Sequence, residues 1–486
     1  MIEIKPPKIE FNSEKAGFCR FKKIKGNKYL LTNDVGEYII LQPQEFKNFL
    51  SGKIKETDSL YPILQEQGLI RDKMNFPALI SEHQQKNLFL WQGPSLHIIV
   101  ATLRCDHKCI YCQASSQGLN EQGYDLNIES AKKIVDVIFK SPSKSIAIEF
   151  QGGEPLFNWP VVKFIIEYAK EKNKTEKKDL ELRLVSNLSL IDDEKLNFLV
   201  KNSVTLCTSL DGPEKIHNIN RIWLQGNSYQ HTIKWLTKAR KIYKRKLKNK
   251  FRPGAIVTVS RFSLKYPKEI VNEYIKQGIE AIFVRPMTPL GMAKEKWQRI
   301  GYSADEYLKF YKKLLDYVIS YNLKNPKTRF HENFAKIILA KILTEYDPNY
   351  LELRSPCGAG IGQLLYNYDG KVYTCDEGRM LGEETFCIGD IKKNSYNDII
   401  SHPTVKSLCL ASCLEGLSCD SCAYKPYCGV CPIYNYATAG NIFSQMPTNE
   451  RCQINKGILD FIFERIQNKK IEKTFIKWSK FTLPIK

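Results

Sequence analysis

The stretch 91–300 contains six short apolar runs that alternate with amphipathic helical segments. Apolar runs of this kind are typical of parallel strands that are buried on both faces. One intervening segment, ESAKKIVDVIFK, has apolar residues on a single helical face, namely Ala131, Ile134, Val135, Ile138 and Phe139. The alternation predicts an α/β fold with a partial (βα)6 barrel of the TIM type. The predicted strands are LHIIVAT, SIAIEF, ELRLVS, VTLCTS, AIVTV and AIFVR.

A chain of 486 residues is longer than a single hydrophobic core normally allows, so several domains are expected. Changes in pattern along the sequence predict five segments. They are a small β+α module at 1–90, the barrel at 91–300, a helical connector at 301–350, a cysteine-rich domain at 351–465 and a C-terminal tail at 466–486.

Fifteen cysteines are distributed unevenly along the chain. The sequence has no apolar run of membrane length, and its first residues lack the apolar centre of a signal peptide, so we expect a cytoplasmic protein. Clustered cysteines in that reducing compartment indicate metal ligands before disulfides. Cys19 and Cys207 stand apart and are expected to be ordinary small buried side chains. The remaining thirteen form one group at Cys105, Cys109 and Cys112 and another in the last third of the chain.

Positive charge exceeds negative charge by 73 − 52 = 21, and a basic stretch covers 240–252. A nucleic-acid partner is one interpretation of this excess. The lysines are spread over the whole chain, however, and the basic stretch follows a predicted helix as a solvated face would. The sequence therefore predicts neither a nucleic-acid nor a membrane partner, and an acidic polypeptide stays open as a partner.

The first cysteine group, CDHKCIYC at 105–112, directly follows the first predicted barrel strand. Three thiolates with an open fourth position suit a 4Fe-4S cluster that keeps one iron free for a small ligand. A structural zinc site completed by His107 or by a remote residue is the alternative. Active sites of such barrels lie at the carboxyl ends of the strands, which favours the cluster.

The spacing C-x3-C-x2-C, with Tyr111 before the last cysteine, resembles the signature loop of radical S-adenosylmethionine (SAM) enzymes. The resemblance implies that the amino and carboxylate groups of SAM chelate the open iron. It further implies that an electron from the cluster cleaves SAM to a 5′-deoxyadenosyl radical, which can abstract hydrogen from an unactivated carbon.

The second predicted strand ends in QGGEP, which contains Gly152, Gly153 and Glu154. Glycines allow the backbone to approach a ligand closely, and a carboxylate can accept hydrogen bonds from an ammonium group. A plain turn is the alternative for two consecutive glycines. By resemblance to the same family, this motif would hold the amino group of SAM.

Polar residues also follow two later strands. By the same resemblance they would bind the ribose and the carboxylate of SAM, with Arg221 as the carboxylate partner. A structural role is the alternative for each of them, for example helix capping by Asp211. The five candidates are Ser186, Asn187, Ser209, Asp211 and Arg221.

The cysteines of the last third resemble the seven-cysteine SPASM extension, which holds auxiliary iron-sulfur clusters in enzymes that modify ribosomally made peptides and proteins. One spacing departs from that pattern, because two residues separate Cys428 from Cys431 where three are common. A zinc ribbon is the alternative for CDSC…CGVC. The resemblance implies two auxiliary 4Fe-4S clusters, one held by Cys419, Cys422, Cys428 and Cys452 and the other by Cys357, Cys375 and Cys431.

The second of these auxiliary clusters lacks an assigned fourth ligand. Cys387, Cys409, Cys413 or a substrate atom could fill the position. Asp376, directly after Cys375, is a candidate catalytic residue that would take a proton during oxidation of the substrate. A solvated acid or one paired with Arg379 is the alternative.

The sequence of the last third is most similar to that of the His-Xaa-Ser system maturases within the SPASM group. This implies that the 1–90 module is a winged-helix-like domain that recognises a peptide; a plain interaction or oligomerisation domain is the alternative. The expected partners are a precursor peptide or protein, a reductant such as flavodoxin or ferredoxin, and a second maturase.

The sequence thus predicts an enzyme that cleaves SAM and oxidatively modifies a ribosomal peptide or protein. Formylglycine formation, as in anaerobic sulfatase maturases, is the nearest alternative. A metal-stabilised binding protein is the alternative from a different class.

Overall fold

The computed structural model describes residues 10–247, 252–443 and 449–480. The predicted module, the basic stretch and the predicted tail therefore extend partly outside the described residues. The strands are β1 Arg20–Ile24, β2 Lys28–Thr32, β3 Tyr38–Leu41, β4 Leu96–Thr102, β5 His107–Cys109, β6 Ser145–Gly152, β7 Asp179–Val185, β8 Thr205–Ser209, β9 Arg221–Trp223, β10 Gly254–Val259, β11 Ala281–Pro286, β12 His331–Glu332, β13 Gln363–Tyr366, β14 Lys371–Tyr373 and β15 Cys387–Asp390.

The helices lie mainly between the strands of the barrel and in the last third of the described chain. They are α1 Pro43–Leu50, α2 Tyr61–Glu66, α3 Phe76–Lys86, α4 Ile128–Ile138, α5 Trp159–Glu176, α6 Asp193–Lys201, α7 Glu214–Asn220, α8 Ser228–Leu247, α9 Pro267–Lys276, α10 Met292–Glu295, α11 Trp297–Ile300, α12 Ala304–Lys324, α13 Asn333–Leu343, α14 Asp376–Met380, α15 Tyr396–Ile400, α16 Pro403–Ser412, α17 Pro432–Ala439, α18 Glu450–Ile466 and α19 Lys469–Ser479. None of the described helices is both long enough and apolar enough to cross a membrane.

A ten-stranded sheet runs through the described structure in the order β12-β11-β10-β8-β7-β6-β4-β13-β14-β15. Its six strands from β4 to β11 pair in parallel and coincide with the six predicted strands. The partial (βα)6 barrel is therefore confirmed. Because all six strands run in the same direction, their carboxyl ends lie along one edge, where loops can meet.

The predicted amphipathic helices cover this sheet. In α4 the side chain of Asn127 accepts the backbone N–H of Ser130, which caps a helix whose apolar face is buried. In α6 the side chain of Asp192 accepts the N–H of Lys195 in the same way. The buried faces of these helices and the strands belong to one large hydrophobic core.

The N-terminal part of the described chain forms a three-stranded antiparallel sheet in the order β1-β2-β3, as part of the predicted β+α module. Alternation along β2 explains its position, because successive side chains of a strand point to opposite faces. Leu31 belongs to a small local core with α1 and α2, whereas Leu30 belongs to the main core of the protein. The sheet is thus packed on both faces.

The cysteine-rich part of the chain continues the barrel sheet. β13 pairs in parallel with β4, and β14 and β15 follow as antiparallel strands. On the other edge β12 extends the sheet in parallel with β11. Helices α12, α13, α18 and α19 pack against one another beside this edge. One sheet therefore connects residues from the barrel, the connector and the cysteine-rich segment.

Candidate active site

The cysteine loop follows β4 at the carboxyl edge of the barrel sheet. Cys109 ends β5, which pairs antiparallel with β9 so that Cys109 lies opposite Arg221. Burial raises the pKa of Cys109 to about 11. Burial and then the charge at Cys109 raise the pKa of Cys105 well above its usual range. Free thiolates are thus disfavoured here, and a bound cationic group would be needed to keep them ionised.

The neighbouring histidine is not positioned as a fourth metal ligand. His107 is 4% exposed, and its Nδ1 lies 2.9 Å from Asp106 Oδ1. Its Nε2 lies 2.9 Å from the hydroxyl of Ser228, and its ring stacks on Trp223. Both ring nitrogens are therefore engaged in hydrogen bonds. The three thiols fit an iron-sulfur cluster with one iron open to a small ligand better than they fit a zinc site closed by this histidine.

Tyr111 anchors the loop from within. Its buried hydroxyl donates to Asp211 Oδ2 at 2.6 Å and accepts from Arg221 Nη1 at 3.1 Å. Asp211 Oδ1 also accepts the N–H of Thr258 at 3.1 Å, which connects the loop to β10. Two predicted SAM contacts, Asp211 and Arg221, are thus brought together on Tyr111. The structural alternative for Asp211 was helix capping. Its observed partners are instead the Tyr111 hydroxyl and the N–H of Thr258, which begins no helix.

Gly152 and Gly153 meet protein backbone at the end of β6. A Cβ atom at Gly152 would lie 2.0 Å from the carbonyl oxygen of Thr102, and the residue has φ +139. A Cβ at Gly153 would lie 2.3 Å from the carbonyl oxygen of Arg104 and 2.4 Å from that of Leu103. Only glycine lets the chain pass this close to the segment that leads into the cysteine loop.

Glu154 is fully buried and connects the ends of β6 and β7. Its Oε1 accepts from Leu156 N at 3.1 Å and from the Ser186 hydroxyl at 2.8 Å, and its Oε2 accepts from Asn187 N at 2.7 Å. Burial raises its pKa to about 7 although these donors oppose the shift. Three predicted SAM contacts, Glu154, Ser186 and Asn187, therefore form one hydrogen-bonded group.

Asn187 links this group to the cysteine loop. Its Nδ2 lies 3.0 Å from Asp106 Oδ1 and 3.7 Å from the sulfur of Cys105. The amide can therefore donate to a thiolate or to a bound cluster. Ser209, another predicted SAM contact, ends β8 and lies opposite Ile256 of β10.

The predicted ligands of the first auxiliary cluster lie near one another. Burial raises the pKa of Cys428 to about 12, and the charges of three nearby thiols contribute to this shift, namely those of Cys452, Cys422 and Cys419. Asn455 Nδ2 donates to the sulfur of Cys428 at 3.6 Å. Cys452 is buried and the other three cysteines are half-buried, and the four thiols fit a fully ligated cluster.

The predicted ligands of the second auxiliary cluster, Cys357, Cys375 and Cys431, also share one environment. All three belong to a single hydrophobic cluster. Cys375 caps α14, and its sulfur accepts the N–H of Gly378 at 3.4 Å. Cys431 caps α17, and its sulfur accepts the N–H of Tyr434 at 3.4 Å. Backbone N–H groups at helix N-termini stabilise thiolates, so this set also fits a cluster.

Of the three candidate cysteines for the open position, Cys409 and Cys413 flank Ser412, whose hydroxyl accepts the N–H of Cys357 at 2.9 Å. Cys387 packs in a different hydrophobic cluster, and its sulfur lies 3.6 Å from the carbonyl oxygen of Gly389. Cys409 and Cys413 are neighbours on and directly after α16, and Arg354 is near Cys409. None of these three belongs to the hydrophobic cluster that contains the second set.

Helix α14 joins the auxiliary region to the cysteine loop. Asp376 and Glu377 follow Cys375, and ligand atoms of these three residues lie within 4.8 Å of one another. Arg379 Nη2 donates to the carbonyl oxygen of Ala114, two residues after Cys112, at 2.8 Å. Among the described residues, Asp376 and Arg379 form no hydrogen bond and no ion pair. The alternative in which Asp376 is paired with Arg379 is therefore not supported.

Residues 99–250 match the family model described as the Radical SAM superfamily. Residues 99–250 thus form a radical SAM domain, and the chain is an enzyme that uses SAM. The matched part of the enzyme extends from β4 through the cysteine loop to the basic stretch. The alternative of a binding protein with merely structural cysteines is therefore wrong.

The enzyme is similar to known proteins over most of its length. It is 25% identical over 390 residues to a cysteine-type anaerobic sulfatase-maturating enzyme of Clostridium perfringens (strain 13 / Type A), covering 77% of this chain and 97% of that protein. The structure of native anSMEcpe with bound AdoMet matches with a TM-score of 0.65 at 20% identity, covering 78% of this chain and 100% of that one. Streptococcus suis SuiB bound to precursor peptide SuiA matches with a TM-score of 0.54 at 16% identity, covering 91% and 99%. These structural similarities support the fold.

Sequence reasoning missed several residues of the site. Arg379 contacts a residue 265 positions away, and no local pattern could have identified that partner. Glu352 binds Arg285 at 2.5 Å and lies 3.9 Å from Arg451. These three side chains form a half-buried charged group near Cys357. Glu377, whose carboxylate lies within 4.8 Å of the ligand atoms of Cys375 and Asp376, was not predicted either.

Proposed function

We propose that this enzyme reductively cleaves SAM and oxidatively modifies a residue of a ribosomally made peptide or protein. The main support for the proposal comes from the residues of α14 and their contacts. Cys375 of the second auxiliary set caps this helix, Asp376 begins it, and Arg379 near its end donates to the cysteine loop at Ala114. A ligand for an electron acceptor, a proton acceptor and the SAM-cleaving loop are therefore linked through five residues, as an oxidation would require.

The residues present can hold the expected groups. Cys105, Cys109 and Cys112 would bind the 4Fe-4S cluster, and the QGGEP turn with Glu154 would bind the ammonium group of SAM. When bound, the cluster and SAM supply an electron and a carbon radical that removes hydrogen from an unactivated carbon. Asp376 would accept the proton that the oxidised substrate residue releases.

A peptide substrate is supported by the N-terminal module and by a structural neighbour. SuiB, which has a related fold, is known in complex with a precursor peptide. Among the described strands, β1 and β3 each pair only with β2, so each has an edge that an extended peptide could join. A cavity of about 530 Å³ beside this sheet has an apolar lining that includes Phe18, Phe76 and Ile80. Flavodoxin or ferredoxin would supply the electron, and a second maturase would share the substrate.

The test is coexpression with a short reading frame that lies beside the gene, followed by mass spectrometry of the purified peptide. We expect a modified peptide that is lighter by about 2 Da for each pair of hydrogens lost. The Cys109→Ala variant should leave the peptide unmodified, and Asp376→Asn should reduce the yield at least about tenfold. A peptide that is unchanged by the parent enzyme, supplied with reductant and SAM, would contradict the proposal.

Formylglycine formation is the second candidate, because a sulfatase-maturating enzyme aligns over 97% of its length with this chain. A sulfatase-derived peptide with Cys or Ser at the target position tests it directly. Formylglycine is an aldehyde and would react with a hydrazide probe. A peptide that has lost hydrogens but does not react would favour cross-link formation instead.

A further inference from the structure

A small cavity of about 90 Å³ lies between the N-terminal module and the cysteine-rich segment. The module contributes Asp34, Val35 and Lys86 to its walls, and the cysteine-rich segment contributes Arg354 and Lys425. We propose that this cavity binds an Asp or Glu side chain of the peptide substrate and that Arg354 pairs with the carboxylate. The inference rests on the proposed function in one respect, since it takes a peptide to be the substrate.

Arg354 is a buried cation without a polar partner. The residue is 6% exposed, and its Nε and Nη2 have no hydrogen-bond partner in the described part of the chain. A guanidinium keeps its proton at physiological pH, so it does not avoid the cost of burial by becoming neutral. Burying an unpaired charge costs free energy that an entering anion would recover. The planar fork of the group can donate to both oxygens of a carboxylate.

The surrounding chain makes room for this guanidinium and holds it. Its central carbon lies 4.1 Å from the ring centre of Phe89, which is a cation–π contact. A Cβ atom at Gly362 would lie 2.0 Å from Arg354 Nη2, and a Cβ atom at Gly358 would lie 3.2 Å from it. The group is therefore in position before a ligand arrives, which reduces the free energy that binding must spend on ordering it.

The lysines and acids that line the cavity are already paired, so they leave no cation for Arg354 to replace and no acid for it to bind. No ion pair among the described residues involves Arg354. The pairs are Asp34 with Arg20 at 2.8 Å, Lys86 with Glu82 at 2.7 Å, Lys341 with Asp347 at 2.8 Å and Lys425 with Glu415 at 3.2 Å.

The position of the cavity indicates the source of the carboxylate. Asp34, Val35 and His83 line both this cavity and the apolar cavity of about 530 Å³ beside the N-terminal sheet. A peptide with apolar side chains in the larger cavity would therefore bring a neighbouring side chain to the smaller one. A single water needs about 10–15 Å³, so the smaller cavity has room for the head of one acidic side chain.

The test selects peptides on the full-length, reconstituted enzyme from a display library of short random sequences. We expect Asp or Glu to recur beside apolar residues in the peptides that bind. A selected peptide is then labelled, and its Kd is measured by fluorescence anisotropy before and after its acid is replaced by the matching amide. With the parent enzyme the replacement should weaken binding about 10- to 100-fold, because it removes a charge-assisted pair.

The Arg354→Met variant completes a double-mutant cycle with this replacement. It removes the charge but keeps an unbranched side chain, so the acid and amide forms of the peptide should bind it with Kd values within about twofold. Lys53→Met, which removes an exposed charge from the same module, is the matched control and should keep the preference for the acid. If Arg354→Met does not fold, Arg354→Lys replaces it, and loss of the fork should reduce the preference at least about threefold.

Three results would overturn the proposal: selected peptides without an acid, an acid whose replacement leaves Kd unchanged, or an equal effect of replacement in the parent and in the Arg354 variant. These results are expected if a cluster on Cys357, three residues further along the chain, supplies the negative charge instead. If acetate, but not acetamide, raises the melting temperature of the parent alone and no acid is selected, the cavity takes a free carboxylate and the peptide assignment is wrong. The binding measurements use neither SAM nor reductant, so their failure is distinguishable from failure of the coexpression experiment.

Discussion

The Tyr111→Phe substitution tests how the cysteine loop is held in place. It removes one hydroxyl that donates to Asp211 at 2.6 Å and accepts from Arg221 at 3.1 Å. Each bond involves a charged partner and contributes about 1.5–3 kcal/mol. Asp211 keeps the N–H of Thr258, and the two charged groups can still attract each other, so we expect a net loss of about 2–3 kcal/mol.

Amide hydrogen exchange measures this loss locally. The N–H of Ile110 donates to the carbonyl oxygen of Asn220 at 2.9 Å and reports on the attachment of the loop. A loss of 2–3 kcal/mol corresponds to exchange that is about 30- to 150-fold faster in Tyr111→Phe. Tyr317→Phe is the matched control, because its hydroxyl makes an exposed bond to Asn272, and it should not alter exchange in the loop. Exchange within about threefold of the parent in Tyr111→Phe would refute this account of the loop.

Three further predictions concern the same region. Gly153→Ala should displace the loop backbone and reduce iron bound at the loop by at least about half, as measured by iron analysis, whereas Gly254→Ala, with no atom within 4 Å of its Cβ, should not. Because burial raises the pKa of Glu154 to about 7, the carboxylate is protonated at lower pH, so SAM affinity measured by calorimetry should rise about tenfold per pH unit between pH 5.5 and 7. Glu154→Gln should abolish that dependence; a parallel slope in this variant would contradict the assignment. Arg379→Met should accelerate amide exchange just after Cys112 by about tenfold without loss of auxiliary iron, and unchanged exchange would show that the bond to Ala114 does not matter.

The strands of the barrel could be predicted because each is a continuous apolar run, and a buried parallel strand requires such a run. The cysteine groups could be predicted because ligand spacing within a loop is a local property. Strand β1 was not predicted, since RFKKI contains three charged residues and has no regular alternation of apolar and polar residues. Lys22 of β1 binds Asp460 of α18, and Lys25, directly after the strand, binds Glu464 of the same helix.

The site was predicted less completely than the fold. Gly152 and Gly153 were expected to admit a ligand, yet the atoms they approach belong to residues 102–104 of this chain. Arg221 was expected to contact SAM, yet its Nη1 donates to the hydroxyl of Tyr111. Both differences arise from contacts between distant segments. A sequence pattern identifies the residue types that a site needs, but only the packed chain determines which atom each one meets.

The most direct test of the account is SAM cleavage by the anaerobically reconstituted, reduced enzyme. The parent should release 5′-deoxyadenosine and methionine and contain about twelve irons per chain. Cys109→Ala should keep about eight irons and release no 5′-deoxyadenosine above background. Equal release by the parent and by Cys109→Ala would contradict the claim that the cysteine loop holds the SAM-cleaving cluster.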